Sequence, residues 1–306
     1  MSRPLVSVIT AARNAERYLA EAISSVQHQT FENWEYIVAD NASSDATADV
    51  AREFLGDPRI RLITVPRKGK AVARNAAVVA TSGRYIANLD SDDFWREDKL
   101  QRQLELLEHD TGISLAYTGV NVLNQLDSRV TTKLPVDLSK CRDPLRYLLT
   151  VSNPITHSSV VIRRDALTGG HYQDEAIEKV DEQMVYWRAL LHSDRTGFVP
   201  EPLTTYRVHG DSEFRRLRVE EFCAWYARGL EAFFALPDLP ASVLRWRRQA
   251  YAAMYCTSGT VGLDQRSSIM LSLTYLLKSM ILRPSRLHTS LLPILRFLVA
   301  GRRHGR

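Results

Sequence analysis

The sequence contains little cysteine and no long uninterrupted apolar run. Its 306 residues include three cysteines, Cys141, Cys223 and Cys256, and no C-x-x-C pair, so we expect neither a disulfide framework nor a structural zinc site. No segment reaches the roughly 18 uncharged apolar residues that cross a bilayer. The basic, apolar and small-residue succession of a secretory signal is also missing before the first strand-like run. These absences predict a cytoplasmic protein.

Acidic residues are absent from the C-terminal segment 265–306. This segment holds eight of the 40 basic residues, which leaves 32 bases against all 35 acids before it, a formal charge of −3 for residues 1–264. A nucleic-acid-binding protein spreads Lys and Arg over the face that follows the phosphates, so we expect no nucleic-acid partner. Two alternatives stay open for the segment: basic amphipathic helices at the inner face of an anionic membrane, or a helical cap packed on the rest of the chain.

Neither common glycine-rich phosphate motif is present, since the sequence has no G-x-G-x-x-G and no G-x-x-x-x-G-K-[ST]. What it has is a regular alternation of short apolar runs and helical apolar stripes through about residue 110. Such alternation predicts a mostly parallel α/β sheet covered by helices on both faces. The pattern is less regular after residue 110 and nearly all helical from residue 219. The predicted strands of the first half are 5–10, 36–39, 60–65 and 85–89, and later strands are 113–122, 159–162 and 203–208.

Three aspartates, Asp90, Asp92 and Asp93, directly follow the predicted strand 85–89. Carboxylates this close repel one another unless a cation neutralises them. Oxygen ligands select Mg²⁺ or Mn²⁺, which bridge to substrate phosphates, and the carboxyl ends of parallel strands are where open α/β sheets bind ligands. Two interpretations stay open: a metal site, or a solvated turn that caps the helix beginning near Asp98.

Polar and small residues also follow the first two strands, at the same predicted edge of the sheet. Thr10, Ala11, Arg13 and Asn14 end the first strand, and the run 40–45 ends the second. Small side chains at this edge would let a flat ring approach the backbone. The Asp40 carboxylate could accept a hydrogen bond from the N–H of a nucleotide base.

The ordered set of these motifs closely resembles the family 2 inverting glycosyltransferases of the GT-A fold. The resemblance covers about residues 4–212 and has six parts. They are V-S-V-I-T with Arg13-Asn14, the run from Asp40 to Asp45, A-R-N at 73–75, D-S-D-D at 90–93, Asp181-Glu182 with Arg188, and Y-R-V-H at 206–209.

The resemblance implies a role for each matching residue. Thr10, Ala11 and Asp40 would line the base of a nucleotide diphosphate, and Arg74 would reach the base or the phosphates. Glu182 would be the catalytic base, with Asp181 as the alternative. The implied nucleotide-binding set is Thr10, Ala11, Arg13, Asn14, Asp40, Asn41, Ser43, Lys70, Arg74, Asn75, Asp90, Ser91 and Arg207. The implied Mn²⁺ or Mg²⁺ ligands are Asp90 and Asp92 of the D-x-D motif, with His209.

The sequence departs from the family pattern at three places. The Pro and Tyr of the first motif are missing around Ala11 and Arg13, and Asn41 replaces the second Asp of the base-binding pair. The pair Asp181-Glu182 stands where the family has Glu followed by Asp. The Q-x-x-R-W motif of processive synthases is absent, because Arg245-Trp246 lacks the preceding Gln. The resemblance therefore implies transfer of a single sugar.

Together these features predict a GT-A catalytic domain at 1–215 and a helical extension at 216–306. The expected activity is inverting transfer from a nucleotide-diphosphate sugar, with a UDP-sugar favoured, to a saccharide or lipid-linked acceptor in cell-envelope polysaccharide synthesis. A sugar nucleotidyltransferase and a catalytically inactive sugar-nucleotide binding module are the alternatives. Two side chains near the motifs, Trp95 and His157, have two interpretations each: Trp95 as a sugar platform or core, and His157 as an acceptor contact or a structural group.

Overall fold

The computed structural model describes residues 4–167, 172–177, 181–212, 218–265, 268–286 and 291–294. The chain divides into two compact units. The first contains Met1–Pro144 and Pro154–His209, and the second contains Leu145–Asn153 and Gly210–Arg306. The predicted terminal helix at 291–299 is described only at 291–294, which are helical, and its remainder lies outside the described residues.

The first half of the first unit is the predicted alternation of strands and helices. The elements are β1 (Val6–Ala12), α1 (Leu19–Gln27), β2 (Trp34–Asp40), α2 (Thr47–Arg52), β3 (Ile60–Thr64), α3 (Lys70–Val79) and β4 (Tyr85–Asn88). In helix α1 the stripe Leu19, Ala22, Ile23 and Val26 is buried, as its i, i+3, i+4, i+7 spacing predicts. The strands pair in parallel in the order β3-β2-β1-β4.

The second half of the sheet is mixed. Its elements are β5 (Phe94–Trp95), α4 (Lys99–His109), β6 (Ile113–Asn124), β7 (Arg129–Lys133), β8 (Val161–Arg163), α6 (Asp181–His192) and β9 (Arg195–Val208). The order continues β4-β8-β6-β9-β5, with β7 paired to β6. Strand β8 runs antiparallel to β4 and β6, whereas β9 runs parallel to β6. The nine described strands therefore form one sheet whose first four strands supply the parallel edge.

Strand β9 is longer than the sequence predicts, since it begins at Arg195 rather than at 203. The apolar pattern of its first half is interrupted by Gly197, Pro200 and Pro202. These residues argue against a strand, because proline cannot donate to a strand ladder and glycine weakens a strand. The register against β6 shifts on both sides of Gly119, which pairs with Pro202. A Cβ at Gly119 would lie 2.7 Å from the Pro200 carbonyl oxygen. Glycine thus permits the close approach that lets two prolines enter the strand.

The core lies on both sides of the first strands. Val8, Tyr36 and Tyr85 are fully buried on one face, in a cluster with α1 and α4. Ile37 and Ile86, at alternate positions of β2 and β4, are fully buried on the other face. Burying apolar side chains on both faces is typical of parallel strands covered by helices. The polar residues at the carboxyl ends of β1, β2 and β4 lie at the edge of this half, next to that apolar core.

The second unit is helical. It contains most of α5 (Pro144–Thr150), then α7 (Val219–Phe234), α8 (Ala241–Leu244), α9 (Arg247–Gln265) and α10 (Ile269–Leu282). Helices α9 and α10 approach closely, because a Cβ at Gly259 would lie 2.6 Å from the Leu276 Cγ. Within the described part of the chain, no helix is long and apolar enough to span a membrane.

Candidate active site

Asn41 fixes the loop that leads from β3 to α3. Its side-chain Nδ2 donates to the carbonyl oxygens of Val65 (3.3 Å) and Arg67 (2.8 Å), and its Oδ1 accepts from the Gly69 amide at 2.9 Å. Gly69 has φ +142°, a conformation that L side chains rarely adopt. The residue that departs from the family pair is therefore a structural anchor, and it aims the start of α3 and Lys70 at the carboxyl edge.

Replacing Asn41 with Ala should lower the free energy of unfolding by about 2–3 kcal/mol, because three hydrogen bonds are lost and two carbonyls lose a buried partner. Urea unfolding measures this loss. Asn124→Ala is the matched control, because its side chain accepts one bond, from the Leu126 amide, and should cost less than about 1 kcal/mol. Equal losses in the two variants would show that the loop does not depend on Asn41.

The loops after β1 and β2 are tied to each other. Asn14 adopts φ +50° and accepts from the Ser44 amide at 2.9 Å, while its own amide donates to the Ser43 hydroxyl at 3.1 Å. The Ser43 amide donates to an Asp40 carboxylate oxygen at 3.4 Å. Asp40 is almost buried and Arg13 is exposed. Three predicted site residues, Asn14, Asp40 and Ser43, thus take part in the hydrogen bonds that link the two loops.

Thr10 lies inside the sheet rather than at its edge. Its hydroxyl donates to the Leu89 carbonyl oxygen at 2.7 Å, lies 2.8 Å from the Tyr36 hydroxyl, and has no exposed surface. Ala11, the next residue, is partly exposed. In this arrangement Thr10 joins β1, β2 and β4, and Ala11 is the residue of the strand end that is open to a ligand.

Arg74 on α3 pairs with Asp90 after β4. One Arg74 Nη donates to Asp90 Oδ1 at 2.6 Å, with 3% and 25% of the two side chains exposed. Burial acts to raise the pKa of Asp90, but Arg74 and then Lys70 outweigh it and hold that pKa well below its usual range. Asp90 is therefore a carboxylate, and two cations, Arg74 and Lys70, lie near it.

Asn75 holds the segment 172–177 against α3. Its Oδ1 accepts from the Gln173 amide at 2.7 Å, and its Nδ2 donates to the Gln173 carbonyl oxygen at 2.9 Å and to a Glu175 carboxylate oxygen at 3.1 Å. Gln173 in turn accepts from Arg74. In the A-R-N motif, Arg74 therefore pairs with Asp90, and Asn75 bonds to the backbone of Gln173. No sequence motif indicated Gln173, because it lies in a loop without periodicity.

Asp92 faces His209. Its Oδ2 lies 3.1 Å from His209 Nε2, and the His209 ring lies against Tyr18 with the centroids 4.8 Å apart. Burial, and then the neighbouring charge of Asp90, raise the pKa of the Asp92 carboxyl. Ser91, between the two aspartates, is partly exposed. The D-x-D motif thus concentrates negative charge beside an imidazole.

The third aspartate of the cluster is structural. Asp93 is fully buried, and its two carboxylate oxygens accept from the Ser158 hydroxyl and from the Arg207 amide, the latter at 2.9 Å. Burial, and then the charges of Asp92 and Asp90, raise the pKa of Asp93 well above its ordinary value. Asp93 therefore connects the D-S-D-D loop to the segment before β8 and to the end of β9.

Arg207 also acts on this loop. Its Nε donates to the Asp92 carbonyl oxygen at 2.8 Å, one Nη pairs with Glu21, and its guanidinium lies 4.7 Å from the centroid of the Tyr18 ring. These contacts direct the guanidinium to the backbone of Asp92. The structure thus places Arg207 as a positioning residue for the D-x-D loop.

Helix α6 begins at Asp181, so both candidate bases lie in its first turn. The charge of Glu182 acts to raise the pKa of His157 and of Tyr186. The charge of Asp90 acts on both pKa values in the same direction, and that of Arg74 acts in the opposite direction. Glu182, which is partly exposed, therefore belongs to the same electrostatic neighbourhood as the aspartate loop. The side chain of Asp181 lies outside the described part of the helix.

The structure settles the alternatives at Trp95 and His157 in favour of internal roles. Trp95 is 4% exposed, its Nε1 donates to the Ser158 carbonyl oxygen at 2.7 Å, and Lys99 lies over its ring, so it is not a sugar platform. His157 Nδ1 lies 2.8 Å from the Tyr186 hydroxyl. Burial, and then Arg74, lower the pKa of His157 to about 3. His157 is thus a neutral, buried imidazole that contacts α6 through Tyr186.

The predicted metal ligands supply only part of the coordination shell of a cation, and substrate and water would supply the rest. No group of three or more His, Cys, Asp or Glu side chains in the described ranges is arranged to hold a metal by itself. Mg²⁺ and Mn²⁺ use one or two carboxylates and fill the remaining positions with water and substrate phosphates. Asp90 and Asp92 repel one another, which is the charge that a cation would offset. The two carboxylates therefore supply the oxygen ligands that such an ion uses, and His209 does not complete a three-residue site with them in the described ranges.

Comparison with solved structures identifies the fold. The chain superposes on S. aureus TarS 1-349 with a TM-score of 0.66 at 17% identity, covering 98% of this chain and 92% of that one. It superposes on the mannosyltransferase PcManGT from Pyrobaculum calidifontis with a TM-score of 0.63 at 16% identity, covering 98% and 81%. That structure contains GDP-Man and Mn²⁺, and TarS has also been solved with UDP-GlcNAc. The α/β sheet and its helices form the GT-A fold of nucleotide-sugar glycosyltransferases.

Sequence comparison supplies the family. The profile of "Glycosyl transferase family 2" matches residues 7–168. "Putative teichuronic acid biosynthesis glycosyltransferase TuaG" of Bacillus subtilis is 40% identical over 214 residues, 69% of this chain and 81% of that protein. The chain belongs to glycosyl transferase family 2 and is a glycosyltransferase, as predicted. The Escherichia coli UDP-Glc:alpha-D-GlcNAc-diphosphoundecaprenol beta-1,3-glucosyltransferase WfgD is 45% identical over 121 residues, which are 39% of this chain and 47% of WfgD.

Proposed function

We propose that this glycosyltransferase moves a single sugar from a nucleotide-diphosphate sugar to a hydroxyl of a saccharide or lipid-linked acceptor, with inversion at the anomeric carbon. A UDP-sugar is the favoured donor, and cell-envelope polysaccharide synthesis is the favoured setting. The observation that carries the proposal is the meeting of Arg74, Asp90, Asp92 and His209 at the carboxyl edge of the parallel strands. The names of TuaG and WfgD support the setting and the acceptor class.

The donor would bind along the carboxyl edge. The linked loops after β1 and β2 border the space for the base, with Ala11, Asp40 and Ser43 toward it. Lys70 and Arg74 lie beside Asp90, where they can offset charge on a diphosphate. Asp90, Asp92 and His209 would hold Mn²⁺ or Mg²⁺, and the ion would stabilise the negative charge that builds on the leaving diphosphate.

The acceptor hydroxyl needs a base, because a neutral hydroxyl is a weak nucleophile. Glu182 is proposed to take its proton as the oxygen attacks the anomeric carbon and the bond to the diphosphate breaks. One displacement inverts the configuration and requires one carboxylate. The neutral His157 under α6 adds no competing positive charge, so Glu182 remains available as a proton acceptor.

The metal arm of the proposal is tested by thermal shift. UDP with Mn²⁺ at about 100 times the dissociation constant should stabilise the fold by about 2.7 kcal/mol, a shift of a few degrees. Asp92→Ala should lose the metal-dependent part of this shift. The control is Asp238→Ala, an exposed aspartate of the second unit, which should keep it. A shift that is the same with and without metal, or that survives in Asp92→Ala, would remove the ion from the proposal.

The domain assignment and the location are also part of the proposal. The catalytic domain is taken as 1–215 and the helical extension as 216–306. The protein is proposed to work in the cytoplasm, with peripheral contact to the inner face of the membrane through the basic C-terminal helices. The exposed apolar side chains of α10, among them Met270 and Leu277 at 79% and 56% exposure, support this contact.

A further inference from the structure

The helical unit contains a cavity of about 740 Å³ whose walls come from α8, α9 and α10. Four basic side chains line it: Arg245, Arg247, Arg248 and Lys278. Among the described residues no carboxylate lines it, and the charge of Glu231 acts on Tyr251 in its wall. The cavity is therefore a concentrated positive site within one unit of the protein.

The basic groups are held by contacts that leave donors for a ligand. Arg248 Nη2 donates to the Ile281 carbonyl oxygen at 3.3 Å, and Arg245 Nε donates to the Ser242 carbonyl oxygen at 3.0 Å. A guanidinium has five N–H donors, so each of these contacts uses one of five. Lys278 lies 5.3 Å from the centroid of the Tyr255 ring. The cavity can thus offer several N–H donors to an anion.

The rim of the cavity is apolar and exposed. Leu244 and Ile281 line it with 43% and 63% of their surfaces exposed, and Leu277 lies one turn before Ile281 on α10. A free sugar or a free nucleotide leaves such side chains in water. A phosphate that carries a hydrocarbon chain matches both parts, because the cations meet the phosphate and the rim meets the chain.

We propose that this cavity binds the headgroup phosphate of an anionic bilayer phospholipid, with Leu244 and Ile281 against the first part of its acyl chains. This inference rests on the proposed peripheral contact with the membrane and adds a defined lipid site to it. The sequence of residues 295–306 has four arginines and no acidic side chain, so its charge does not complement that of the cavity.

The test is co-sedimentation with vesicles of phosphatidylcholine, with and without phosphatidylglycerol. Wild-type protein should bind the anionic vesicles. Arg245→Gln with Lys278→Gln should weaken that binding about 30-fold, since each basic residue near an anionic surface contributes about a fivefold factor. Both substitutions spare the Arg248 bond between α9 and α10. The matched control, Arg129→Gln with Lys133→Gln on the exposed strand β7, removes the same charge and should change binding less than about threefold.

A second pair tests the apolar rim. Leu244→Ser with Ile281→Ser should weaken vesicle binding, whereas Leu126→Ser with Val130→Ser, which are similarly exposed at 53% and 58%, should not. Equal losses in cavity and control pairs, or equal binding of wild type to both vesicle types, would overturn the proposal. So would recruitment to neutral vesicles by a polyprenyl phosphate when phosphatidylglycerol recruits nothing, or full competition by inorganic phosphate at low concentration.

Donor hydrolysis in solution separates this inference from the proposed function. The cavity variants should hydrolyse the UDP-sugar at the wild-type rate, because the cavity residues take no part in the proposed chemistry. Absence of hydrolysis in wild-type protein would count against the donor proposal and leave the vesicle result standing. Normal hydrolysis without vesicle binding would count against the lipid site alone.

Discussion

Glu182→Gln is expected to lower the rate of sugar transfer by about two to four orders of magnitude. Gln has the shape of Glu but cannot take the proton of the acceptor hydroxyl. Glu182 lies in the first turn of α6, and its charge raises the pKa of His157 and Tyr186, two groups on which Asp90 also acts. UDP binding, measured by calorimetry, should be unchanged, because the base acts on the acceptor.

Asp181→Asn is the matched control for this prediction, since it removes the neighbouring carboxylate on the same helix. We expect a rate loss of less than about tenfold, far below the range of a missing general base. A large loss in Asp181→Asn with a small one in Glu182→Gln would assign the base to Asp181. Small losses in both would mean that neither carboxylate takes the proton.

The second large effect concerns Arg74. Arg74→Met should lower the free energy of unfolding by about 3 kcal/mol, because Asp90 then loses its partner in a largely buried ion pair and keeps only the more distant charge of Lys70. It should also abolish measurable transfer, since Arg74 both holds Asp90 and faces the proposed diphosphate. The double variant Arg74→Met with Asp90→Asn should recover most of the stability and none of the activity.

Urea unfolding and transfer rates together check this pattern. Arg84→Met is the control, because Arg84 pairs with Glu108 at 3.1 Å with 46% and 42% of the side chains exposed. An exposed pair is worth at most about 1 kcal/mol. Recovery of transfer in the double variant would show that Arg74 serves only to neutralise Asp90. Failure to recover stability would show that Arg74 supports the fold through Gln173 instead.

The sequence predicts the parallel half of the fold well, because each motif there ends a short apolar strand. Asp40 ends β2, and Asp90 follows β4 within two residues, so their meeting at one edge follows from strand order alone. The buried faces of α1 and α4 also follow directly from the spacing of their apolar residues. The local pattern contains enough information wherever a strand or helix has one buried face of fixed period.

The sequence predicts less well which polar residues are structural and which face the site. Nothing in D-S-D-D tells Asp93, which is buried in hydrogen bonds, from Asp92, which faces His209. The anchoring role of Asn41 depends on carbonyls 24 and 26 residues away. The sequence predicts a β9 shorter than the observed strand, because nothing local indicates that its prolines fit through the close approach at Gly119. Such roles arise from tertiary contacts, which a local pattern does not contain.

The position of Asp93 has a consequence for the order in which the protein is made. Its partners Ser158 and Arg207 lie 65 and 114 residues further along the chain. During synthesis the strands β1 to β4 leave the ribosome long before either partner does. The aspartate loop therefore cannot reach its final arrangement until β9 has emerged, whereas the four parallel strands β1 to β4 are all available for pairing before then.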